Sequence, residues 1–233
     1  MDKEYAHRIQ QCREYASNAG AAKLNTAEAW SMLTGRIIPS VTYPMSVTTF
    51  TETQCKSMNT IIDKIMINKL RLNRHMPKAV VYAPLTLGGI GYPSFQIIQD
   101  QKGILTMLKH FRWNGTVAND MLTVLSAIQL IAGWTTPIFE DTTTRLDYIQ
   151  QGWFTHQRSR MGRMQATMWI EHQWCPDIQR VHDRALMQAF LAIPNITRSR
   201  LMRANLVRIY LRVITIAELA NTTGTHIPGH RMD

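Results

Sequence analysis

Apolar residues recur at helical spacing through most of the chain, and one stretch interrupts the pattern. Tyr5, Ile9, Cys12 and Ala16 predict a helix over 1–19, with Arg8, Gln11, Arg13 and Glu14 on its other face. The abrupt start inside this helix is compatible with a longer parent chain. Asn25 and Glu28 form a capping box ahead of Ala29, Trp30, Leu33 and Ile37, and Pro39 is expected to stop that helix. Residues 41–50, β-branched and broken by Pro44, read as an extended connection. Thr51 and Gln54 form a second capping box, opening a long helix with Cys55, Met58, Ile62, Ile65 and Met66 on one face.

Residues 75–93, HMPKAVVYAPLTLGGIGYP, break the periodicity. Three prolines and three glycines exclude one regular helix. Yet Val80, Val81, Tyr82, Leu85, Leu87, Ile90 and Tyr92 make the stretch apolar. A docked, extended joint is expected, with its structural turn at Gly88, Gly89 and Gly91.

Helical patterning resumes at Ser94, with Phe95, Ile98, Leu105, Leu108 and Phe111, weakened at Gly103. An apolar helix follows over 117–134, too short to span a bilayer. Residues 145–173 carry a helical pattern with breaks expected at Gly152 and Gly162. A short helix over 184–192 precedes a last one capped by Thr197, with Leu201, Leu206, Ile209, Val213 and Ile216. The fold class expected is mainly α, a helical bundle with a short extended Pro/Gly-rich segment. A shift in composition near Gly115 divides it into 1–114 and 115–233, the second part holding 12 of the 18 arginines.

The formal charge of +10 changes the picture, because arginine outnumbers lysine 18 to 8. Guanidinium binds phosphate as a planar fork, so nucleic acid leads among partners. A basic surface for solubility, or for docking on an acidic protein, is the plainer alternative. Lys64, Lys69, Arg71, Arg74, His75 and Lys78 form one basic run, part of which the C-terminal end of a helix would favour without any ligand. Arg200, Arg203, Arg208 and Arg212 form a second, a stripe about 18 Å long by helix rise. It reads equally as a phosphate track or as a solvated helix face. Trp153, Trp169 and Trp174 could stack on bases, but burial in the core is the default for them.

Other chemistry is thinly represented. Cys12, Cys55 and Cys175 form no CxxC pair and no disulfide framework, which fits a reducing compartment. The charged N-terminus is not a secretory signal; an intracellular, nuclear or cytoplasmic site is expected. Glu140-Asp141 is the one adjacent acidic pair, in a polar loop. His156, His172, Cys175 and His182 lack the spacing of a known zinc site, and His226 and His230 are equally weak. A small enzyme built on these histidines and Cys175 ranks below both binding readings. No Walker loop and no G-x-G-x-x-G occurs. No catalytic residue, metal or cofactor is assigned.

The run Met76-Pro77-Lys78-Ala79-Val80-Val81-Tyr82-Ala83-Pro84-Leu85, followed by Gly88-Gly89-Ile90-Gly91 and Pro93, resembles the segment after the polymerase palm in non-LTR retrotransposon reverse transcriptases. There a helical thumb leads into such a connection. Trp30, Leu33 and Tyr43-Pro44 fit that thumb, and residues 207–219 are similar to a region further downstream. The aromatic-x-Asp-Asp signature of the catalytic palm is absent from this chain. The resemblance therefore implies a thumb and post-thumb piece without catalysis of its own, whose parent would be an RNA-directed DNA polymerase. It implies RNA or an RNA/DNA hybrid as partner, beside the parent's palm and fingers. Phosphate contacts would come from Lys69, Arg71, Arg74 and Lys78. A basic helical protein-interaction module without nucleic-acid function stands as the alternative.

Overall fold

The computed structural model describes residues 2–73 and 75–220. The fold is mainly α-helical, and no β-strand occurs among the described residues. Two compact units divide the chain, Met1–Met107 and Leu108–Asp233. The division falls inside a helix rather than at the composition shift near Gly115.

In the first unit, α1 (Asp2–Ala21) and α4 (Glu52–Lys69) lie against each other. Cys12, Ala19, Cys55, Met58, Ile62 and Met66 are buried in its one apolar cluster. Both capping boxes form. Asn25 Oδ1 accepts from the Glu28 amide at 2.9 Å, and Glu28 Oε2 accepts from the Asn25 amide at 2.8 Å. Thr51 and Gln54 exchange the same pair of bonds at the start of α4.

Pro39 does not stop the helix it follows. After α2 (Thr26–Met32) the chain widens into a π turn over Leu33–Ile37 and continues as α3 (Ile38–Thr42). The Ile38 amide donates to Leu33 O, five residues back. A proline has no amide to give the carbonyl four residues behind it and its ring crowds that carbonyl; the wider turn relieves both. A 3₁₀ turn over Tyr43–Ser46 then carries helical structure through most of the expected extended connection.

The joint also begins as helix. Lys78–Tyr82 forms the short α5, and Leu85–Leu87 a 3₁₀ turn. Only the residues after it fold back in irregular form. The Ile90 amide donates to Val80 O at 3.0 Å and the Tyr92 amide to Val81 O at 3.0 Å. Next, α6 (Phe95–Trp113) passes uninterrupted through the buried Gly103.

The second unit contains α7 (Thr116–Ala132), α8 (Trp153–Arg163), α9 (Leu186–Leu191) and α10 (Arg198–Leu211). The helix expected over 145–173 shrinks to α8. Gly152 is extended at its start, donating its amide to Thr155 Oγ1 at 2.7 Å, and Gln165 turns left-handed just past its end. The last helix stops at Leu211, short of Val213 and Ile216, because Arg212 adopts φ 57°. The chain beyond runs beside the entry to α9: Leu186 N donates to Ile214 O at 2.8 Å and Ile216 N to Arg184 O at 2.9 Å. No single described helix is long and apolar enough to cross a membrane.

Candidate nucleic-acid interface

The joint is fastened to α4 by two polar side chains one turn apart, the buried Asn59 and the half-buried Asp63. Asn59 Oδ1 accepts from the Phe95 amide at 2.9 Å and thereby caps α6. Asp63 Oδ2 accepts from the Tyr82 hydroxyl at 2.8 Å. The buried Tyr92 ring meets Tyr82 edge-on, with centroids 5.9 Å apart. Burial raises the Asp63 carboxyl above its ordinary value, opposed by Tyr82, Tyr92, Asn59 and the charge of Lys78. Gly88 and Gly91 take left-handed φ of 78° and 68°. Gly89 does not; its constraint is space. A Cβ there would sit 2.1 Å from the Ala83 carbonyl oxygen, so only glycine fits.

Cations gather around this joint. Lys64, Arg71 and Lys78 are exposed, and none of them joins an ion pair among the described residues. Lys64 and Lys78 line an open groove of about 510 Å³ with Thr60, Asp63, Ile67 and Asn68. Arg71 follows α4 at φ 56°, its amide bonded to Asn68 O at 3.0 Å. Lys69 is diverted: its Nζ donates to Ala22 O at 2.6 Å, just past the end of α1, where a cation suits the free carbonyls. Arg74, named with this set, lies outside the described residues.

The arginine stripe of α10 does not survive as one face. Arg208 is 4 % exposed and wholly engaged. It donates to Asn205 Oδ1 at 3.0 Å, Val213 O at 3.2 Å, Leu130 O at 2.8 Å and Ile131 O at 2.9 Å. The last two carbonyls belong to the end of α7, so the guanidinium caps that helix from outside it. Gly133 makes room, since a Cβ there would lie 2.7 Å from the guanidinium carbon. Arg208 is thus a structural residue, with no surface for a phosphate. Arg212, in its left-handed turn, is exposed but off the helical row. Arg200 and Arg203 remain exposed on α10. The buried Arg158 follows the same logic as Arg208: it donates to the carbonyls of Ile138, Asp141 and Thr144 and lies 5.1 Å from the Trp134 ring centre.

Core burial is not the fate of every tryptophan expected there. Trp153 is half-buried, whereas Trp169 is 72 % exposed and Trp174 is exposed. Trp169, Arg112, Asn114 and His172 edge a pocket of about 440 Å³ in the second unit. Sequence gave no signal for this pocket beyond the aromatic residue itself.

Of the acidic, cysteine and histidine residues singled out by sequence, Asp141 spends its carboxylate on the amides of Thr143 and Thr144, at 3.1 and 3.0 Å, which hold it below its ordinary range. Burial and Glu140 push the Cys175 thiol up to about 11, so little thiolate exists at neutral pH. No group of three or more histidine, cysteine or acidic side chains converges as a metal site among the described residues; His226 and His230 lie outside them. Comparison of the chain with protein-family models, curated proteins and solved structures finds no match.

Proposed function

We propose that the chain binds nucleic acid through sequence-independent phosphate contacts at the α4–joint surface, as a non-catalytic piece of a reverse-transcriptase-like polymerase. The observation that carries this reading is that Lys64 and Lys78 line one groove beside the joint, with Arg71 exposed just past the end of α4. All three are exposed, and none joins an ion pair among the described residues, though the charge of Lys78 also acts on Asp63. Arg74 belongs to the same run of sequence. Exposed like charges on this surface repel one another, and a phosphate backbone is a ligand that offsets that cost. Charge balance over the whole chain points the same way, at +10.

The resemblance of residues 71–93 to a polymerase thumb connection supplies the ligand's form, an RNA/DNA hybrid or structured RNA. In such an arrangement the palm and fingers would contribute chemistry and this chain would contribute grip. Contacts of this kind position a duplex without reading its bases. Lys69 adds little directly, because its ammonium holds Ala22 O. Alanine at Lys64, Arg71 and Lys78 together is the test: affinity for a hybrid duplex should fall at low salt. Unchanged affinity would remove this surface from the role.

A further inference from the structure

The outer face of α10 is apolar where solvent should favour polar residues. Its inner seam is narrow: Leu201, Asn205 and Arg208 are the buried positions, on the side packed towards α7 and α9. Met202, Leu206, Ile209 and Tyr210 follow at the spacing of one helical stripe, within an arc of about 100°. They are exposed by 40 %, 66 %, 44 % and 86 %. Four large apolar side chains aligned on one helix are more than the scattered exposed residue that needs no account.

Charge selects the occupant. Arg203 borders the stripe beside Leu206 and Tyr210, with Arg200 further round; Arg198, beside Met202, is already engaged, its Nε donating to Asp147 O at 2.7 Å. No aspartate or glutamate lies anywhere on α10. A second copy laid along this face would set arginine against arginine, and flanking like charges exclude such pairing. Nucleic acid would satisfy the arginines but leave Leu206, Ile209 and Met202 facing phosphate and water. An amphipathic helix with an apolar stripe and acidic borders satisfies both features at once. We infer that the outer face of α10 is a docking surface for an acidic amphipathic helix of a partner protein. Leu206 and Tyr210 are its apolar anchors, and Arg203 sets the partner's charge. This inference is independent of phosphate binding at α4, and its failure leaves that reading intact.

The test uses the full chain and two labelled helical peptides that share one leucine stripe, one bordered by glutamates and one by lysines. Fluorescence anisotropy should show binding of the glutamate peptide only. Leu206→Asp with Tyr210→Asp should weaken it at least about tenfold; both side chains are exposed, so circular dichroism and the melting temperature should stay unchanged. Arg203→Glu should weaken binding of the glutamate peptide and strengthen that of the lysine peptide. Equal binding of the two peptides, no binding of either, or binding that ignores these substitutions would overturn the inference. So would sedimentation showing self-association that Leu206→Asp abolishes, or RNA binding lost in the same variant.

Discussion

Asp63 sits where a carboxylate is uncomfortable, half-buried between α4 and the two tyrosines of the joint. Its folded pKa lies above its unfolded value near 3.8. The folded state therefore holds this proton more tightly than the unfolded chain does. Ionised Asp63 costs stability at neutral pH, and that cost is relieved as pH falls through the raised folded value towards 3.8. Asp141, Asp147 and Asp183 carry the opposite sign: their pKa values are lowered, and their contribution is lost as pH falls. Asp63→Asn keeps an oxygen for the Tyr82 hydroxyl and removes the charge. Its stability relative to wild type, from urea denaturation, should be most favourable at pH 7 and decline towards pH 3. A relative stability that grows on acidification would contradict the assignment. Gly89 is constrained differently. Gly89→Ala puts a methyl within 2.1 Å of backbone that cannot swing away, and should cost about 3 kcal/mol, in the range of severe overpacking. An unchanged melting temperature would show that the joint relaxes. The glycine-rich turn is visible in the sequence, but the close approach of Ala83 to Gly89 is a contact that no local pattern encodes.

Elements here end where polar side chains reach their carbonyls and amides. The capping boxes at Asn25 and Thr51 were legible because every atom involved lies within four residues. Arg208 was not, because its partners Leu130 and Ile131 lie on a different helix. On a helical wheel it is one more arginine beside Arg200 and Arg203; in the structure it ties α10 to the end of α7. Arg158 is held in the same way, by loop carbonyls that only the fold brings together. Removing Arg208 leaves buried carbonyls without donors. Arg208→Met should destabilise by roughly 3 kcal/mol, and Arg208→Lys should not restore the loss, because an ammonium cannot span acceptors arranged for a planar fork. Hybrid-duplex affinity of the folded fraction should be unchanged, which separates a structural arginine from a phosphate ligand. Helix boundaries were read less well than helices. Pro39 was expected to terminate and instead sits after a π turn, and 145–173 kept only α8, since Gly152 and Gln165 bound it more tightly than its apolar spacing suggested.

For the whole molecule, the mainly α fold followed from apolar periodicity alone, while the use of its charge did not. A net +10 says that cations exceed anions, not which cations face solvent. Lys69 caps α1, Arg158 and Arg208 are interior, and Arg145 pairs with Asp147 at 2.9 Å. Among the exposed cations are Lys64, Arg71 and Lys78 on the first unit and the arginines beside the apolar face of α10 on the second, with others such as Arg13, Arg36 and Arg184 elsewhere. The two surfaces are assigned different partners, phosphate and an acidic helix, because on α10 the exposed apolar residues form one helical stripe. The most direct measurement is the affinity of the chain for a labelled RNA/DNA hybrid across a salt series, beside the variant with alanine at Lys64, Arg71 and Lys78. Each phosphate contact contributes about 0.9 to the slope of log affinity against log salt for duplex DNA. Wild type should lose affinity steeply with salt, and the variant's slope should be shallower by about 2 to 3. Equal slopes, or no binding at low salt, would contradict the proposed phosphate grip.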